Sequence, residues 1–101
     1  MDDGAAGKLQ IYSVEERESA AATCIVRCVG GVPRTGQQFA VESTSDSADT
    51  ASPFTLDWIN RYEQMMDFID PPHTAKVHLT GEAVAVLERG VILTSVEIDE
   101  Q

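Results

Sequence analysis

Thr74-Ala75-Lys76-Val77-His78-Leu79-Thr80 is the most regular stretch of the chain. Ala75, Val77 and Leu79 alternate with Thr74, Lys76, His78 and Thr80, and extended backbone sends successive side chains to opposite faces. A period of two predicts a strand with one apolar face toward a core and one polar face toward water. Pro71-Pro72 stands before it and Gly81 after it. Prolines cannot donate to a ladder, so the pair marks the end of whatever precedes the strand. Beyond Gly81, the segment Glu82 to Arg89 holds Ala83, Val84, Val86 and Leu87, enough for a turn of helix or a bent segment, and Gly90 ends it. Val91 to Ile98 returns to β-branched residues, which favour extended backbone, and Asp99-Glu100-Gln101 is an acidic tail.

The same reading extends toward the N-terminus. Phe54, Leu56 and Trp58 alternate with Thr55 and Asp57, the pattern of another strand. Ile59, Tyr62, Met66 and Ile69 then fall at helical spacing, so a short helix over residues 60–68 stands beside a strand extension as an open alternative. Residues 42–53 (ESTSDSADTASP) contain no large apolar side chain. Such a segment buries too little surface to offset the entropy of ordering it, which predicts a mobile acidic loop within the domain. Gln37 to Glu42 alternates with Phe39 and Val41 on one side, and Ala20 to Val29 reads as a long strand broken by Gly30-Gly31. Glu15 to Ser19 suits an exposed turn, Lys8 to Val14 is a half-buried strand, and residues 1–7 are expected to fray. The expectation is one all-β domain over residues 8–98, its many short strands and turn signals pointing to a sandwich or barrel.

A chain of 101 residues has room for one core, and its 43% hydrophobic share is that of a folded globule. Seven basic residues against seventeen acidic ones give a formal net charge of −10. Nucleic-acid affinity comes mainly from cations displacing counterions, so this balance disfavours RNA, DNA and anionic membranes, and it favours solubility and a basic partner surface. The start, MDDGAAGKLQ, has neither the basic segment nor the apolar run of a signal peptide, and two cysteines in such a chain read as reduced thiols. A cytoplasmic protein is expected.

Four residues imitate a zinc ligand set, Cys24-x3-Cys28 and His73-x4-His78. On strands, residues four apart lie roughly 13 Å from one another, too far for one ion and too far for a disulfide within one strand. The plainer reading is two core thiols, a loop histidine at 73 and a surface histidine at 78. No serine sits in a G-x-S-x-G setting, no phosphate-cradling glycine loop carries its lysine, and pairs such as Glu15-Glu16 read as solvated faces rather than acid–base dyads. Met65, Met66 and Phe68 could line a groove, with core filling as the leading explanation. Neither a cofactor nor a metal is expected, and no catalytic residue is identified.

Two glycine motifs carry a resemblance. In the run from Ile25 to Val41 a strand ends at Gly31, and Gly36 restarts the chain five residues later, with Arg34 between them. Downstream, a strand ends at Gly81, and Leu87-Glu88-Arg89-Gly90-Val91-Ile92-Leu93 leads the chain into another. This order resembles the β-barrel second domain of elongation factor Tu-type translational GTPases, across Ile25 to Leu93. The resemblance implies a small closed barrel of six or seven strands, with Gly31, Gly36, Gly81 and Gly90 as structural turn glycines and a binding surface in place of a catalytic site. In that family an acidic and an arginine side chain just after the central strand help hold the aminoacyl end of tRNA. Asp57 and Arg61 lie nearest to those positions, offset by one residue.

These readings give a non-catalytic binding module that recognises a protein partner. A ribosome- or tRNA-associated accessory factor is the second reading, and a small metal-dependent enzyme using Cys24, Cys28, His73 and His78 is the third. Oligomeric state is not encoded in any of these patterns.

Overall fold

The computed structural model describes residues 7–41, 53–82 and 84–96. Among these residues are strands β1 (Lys8–Arg17), β2 (Ala21–Gly30), β3 (Gln38–Val41), β4 (Phe54–Arg61), β5 (Gln64–Met66), β6 (Thr74–Thr80) and β7 (Ile92–Val96), and a 3₁₀ turn, η1 (Val84–Val86). The neighbour order is β3-β7-β1-β2-β6-β4-β5, and β3 also pairs with β4. Six strands therefore close into an antiparallel barrel, and β5 hangs from β4 as one extra strand. Of the expected tails (1–7 and 99–101) and acidic loop (42–53), residues 1–6, 42–52 and 99–101 lie outside the described residues, as do residues 97 and 98 of the expected last strand. Gly7, expected in the tail, is instead buried: its N–H donates to Ser95 Oγ at 2.9 Å and its carbonyl accepts from Ser95 N at 2.8 Å.

The interior is built from the apolar phase of each strand. Ala22, Cys24, Val26 and Cys28 of β2 face Ala75, Val77 and Leu79 of β6, with Leu9, Ile11, Phe39 and Leu93 from the remaining wall, all buried. Burying each larger side chain of this set removes about 1.5–3 kcal/mol of unfavourable hydration. Ile69, Val84 and Leu87, from the connections, complete the core.

Three local expectations change. β1 runs on to Arg17, and only the residues after it turn. The charged stretch stays extended because the Arg17 guanidinium reaches across to η1, donating from Nη1 to Val84 O and from Nη2 to Leu87 O at 2.9 Å. The helix alternative over 60–68 is replaced by a hairpin: Tyr62 (φ 53) and Glu63 (φ 66) form a two-residue turn, and Asn60 pairs with Met65 and Ile59 with Met66. Such left-handed pairs match the twist of the flanking strands. Helical spacing misleads here because its apolar set does not share a face; Ile59 and Ile69 are buried while Tyr62 is 87% exposed. The third change is at Trp58. A bulge between Leu56 and Trp58 shifts the register of β4 against β6, so Phe54, Leu56 and Ile59 point inward and Trp58 does not. Met65 and Phe68 are likewise exposed, and only Met66 of that trio packs against the core.

Candidate interaction face

The bulge in β4 sets the geometry of the outer surface. One extra residue opposite a single partner lets two consecutive side chains, Asp57 and Trp58, project from the same side of the strand. Both meet His78 of β6: His78 Nδ1 lies 2.7 Å from Asp57 Oδ2, and the imidazole stacks on the indole with centroids 5.7 Å apart and planes 17° from parallel. Thr80 Oγ1 donates to the same carboxylate oxygen. The carboxylate and the indole together fix the orientation of the imidazole. Alongside, Asn60 Nδ2 donates to Met65 Sδ at 3.4 Å, and Trp58, Asn60, Glu63, Met65 and Lys76 line an open concavity of about 440 Å³. The arrangement offers an aromatic and a thioether surface rimmed by an ammonium, an amide and a carboxylate.

Of the two residues singled out from the family resemblance, Asp57 belongs to this face and Arg61 does not share its contacts. By the alternation restored after the bulge, Arg61 falls on the side of buried Ile59. Its guanidinium lies 5.3 Å from the Tyr62 ring centroid, and its Nε is buried without a hydrogen-bond partner. Gly31, Gly36 and Gly90 take φ of 62, 90 and 94, the left-handed region. Gly81 serves space instead of φ: a Cβ there would stand 2.6 Å from Phe54 Cδ1 and 2.9 Å from the Pro53 carbonyl.

The zinc-like quartet is not brought together. Cys24 and Cys28 point into the barrel, while His73 turns to Asp70, with Nδ1 3.0 Å from Oδ1, and His78 is held by Asp57. Burial pushes the Cys24 thiol up from 9.0 to about 11, the nearby Arg17 offsetting part of the rise, and burial raises Cys28 as well. Both sulfurs are therefore protonated at neutral pH and poor nucleophiles. What sequence reading missed is the Trp58–His78–Asp57 grouping. Its one visible trace is the adjacent apolar pair Trp58-Ile59, which breaks the period of two.

No family model matches the sequence, and no curated protein is significantly similar to it. Among solved structures, translation elongation factor SelB from Methanococcus maripaludis superposes on the chain with a TM-score of 0.73 at 14% identity, covering 90% of it. SelB bound to the GTP analogue GppNHp gives the same values. The fold is that of a translation-factor barrel domain. The chain spans 19% of the SelB chain, so the likeness concerns one barrel and not the whole factor. No described helix is long and apolar enough to cross a membrane.

Proposed function

We propose that this translation-factor-like barrel is a non-catalytic binding module that recognises a protein partner through the outer face of β4, β5 and β6. The observation that carries the reading is the Trp58–His78 stack, fixed by Asp57 beside Met65 and Lys76 on the outside of a closed barrel. Aromatic side chains and methionine are enriched at protein interfaces, and rigid rings lose little entropy on binding. Interior positions are filled by apolar side chains, so a partner has the outer surface to recognise. The likeness to SelB supports a second reading, an accessory factor at the ribosome or on tRNA.

Site-specific photocrosslinking separates the two. With p-benzoylphenylalanine at Asn60, a discrete protein adduct is expected in cells, and none with the probe at exposed Arg34. Saturable tRNA binding near physiological salt, weakening steeply as salt rises, would overturn the protein-binding reading in favour of the second.

A further inference from the structure

The net charge of −10 suggests a basic partner, yet the distribution of charge in the fold is uneven. About half of the seventeen acidic residues fall in segments 1–6, 42–52 and 97–101, whereas every Lys and Arg lies among the described residues. Three of these cations, Arg27, Lys76 and Arg89, are exposed around one continuous outer surface. Ile25, on the outer phase of β2, pairs with Lys76 of β6 on one side and Ser13 of β1 on the other. Tyr12, next to buried Ile11, faces outward, and a bulge between Ile11 and Ser13 keeps Ser13 on the same side; the Tyr12 hydroxyl accepts from Arg27 Nη1 at 3.2 Å. Tyr12, Ile25 and Arg89 line an open groove of about 710 Å³. Lys76 links this groove to the Trp58 concavity, since it pairs with Ile25 and lines the second hollow.

We infer that this face, from Arg89 across Ile25 and Lys76 to Trp58, takes an extended acidic peptide segment of a partner protein, in which carboxylates alternate with apolar side chains. The inference rests on the protein-binding reading and names the chemistry of the partner. Three strand-to-strand steps of about 4.8 Å carry the face from β1 to β4, about 14 Å, which about four extended residues span. Along that line Ile25 and Trp58 offer apolar contact, while Arg89, Arg27 and Lys76 offer charge. None of the three cations pairs with a carboxylate among the described residues. The carboxylates nearby sit at its margins: Asp57 accepts from His78 and Thr80, Glu15 accepts from Ser13, Glu63 rims the Trp58 concavity and Glu88 precedes Arg89, so the peptide's carboxylates are placed toward Lys76, Arg27 and Arg89. At physiological salt the screening length is about 8 Å, so acidic charge farther than that from the face is largely screened from a peptide bound there.

The test is selection from a random dodecapeptide phage library on the immobilised full chain, followed by fluorescence anisotropy with a labelled enriched peptide. Enriched sequences should carry at least two Asp or Glu alternating with apolar residues. Lys76→Glu and Arg89→Glu should each weaken that peptide by about tenfold, as charge reversal at an interface does, while Arg34→Glu leaves it unchanged. No enrichment, a basic or uncharged consensus, or insensitivity to both substitutions overturns the inference. So does a twelve-residue oligouridylate whose binding is lost in the same variants. A crosslinked protein at position 60 together with a carboxylate-free consensus would leave the binding-module reading standing and remove only this one.

Discussion

Gly81 and Gly90 look alike in the sequence, each closing an element before the chain re-enters the barrel, and the fold uses them for different physical reasons. At Gly81 the backbone is ordinary but crowded, because the ring of fully buried Phe54 and a main-chain carbonyl occupy the space of a Cβ. At Gly90 the space is open, with nothing within 4 Å, but φ is 94. Gly90 N–H donates to Ile11 O at 2.7 Å, and Ile11 N–H donates to Val91 O at 2.8 Å, so the turn is locked to β1 in that conformation. One corner is limited by packing and the other by torsion. A glycine in a motif therefore does not say which constraint it answers.

The contrast can be broken by substitution. Gly81→Ala should cost most, about 2–3 kcal/mol, since neither a core ring nor a backbone oxygen can yield cheaply. Combining it with Phe54→Leu should cost less than the two losses added, because the smaller side chain clears the space; strict additivity in urea titrations would show that crowding is not the cause. Gly90→Ala should cost about 1–2 kcal/mol through backbone strain alone. Gly90→Asn should cost about 0.5–1 kcal/mol, since asparagine tolerates left-handed backbone better. Equal losses for Ala and Asn at 90, or a stabilised Gly90→Ala, would contradict the torsional account. The smallest effect belongs to Glu88→Ala, which is exposed beside the same turn and should change stability by less than about 0.5 kcal/mol.

Alternation made most of the fold legible. β6 was readable to the residue because its two faces never exchange character, and β3 alternates through Phe39 and Val41, whereas β2 and β7 were legible through their β-branched residues, which fall on both faces: Val26 is buried while Ile25 and Val29 face outward. Periodicity failed at the bulges and at the hairpin, where one inserted residue or two left-handed torsions reverse the phase. Trp58 shows the cost: read by strict alternation it belongs inside with Leu56, and the bulge puts it on the surface instead. The candidate face was poorly legible for the same reason. Its members come from strands distant in sequence, and His78 gains its partners Asp57 and Trp58 only through the pairing of β4 with β6. Asp57 was reached through resemblance, whereas Arg61 stands apart from that grouping.

Closure of the barrel also bears on how the protein behaves when crowded. A sheet that ends in a free strand offers main-chain donors and acceptors to any extended neighbour, which is the route to fibrils and disordered aggregates. Here β3 pairs with both β7 and β4, so among the described residues the six-stranded ring presents no terminus of that kind. The appended β5 has an outer side, but the chain itself begins to cover it: Thr35 N–H donates to Asp67 O at 3.0 Å and Arg34 bridges to Phe68. What stays open is the three residues Gln64–Met66, bounded by the charges of Glu63 and Asp67. A foothold that short, flanked by like charge, gives polymerisation by strand addition little to propagate from.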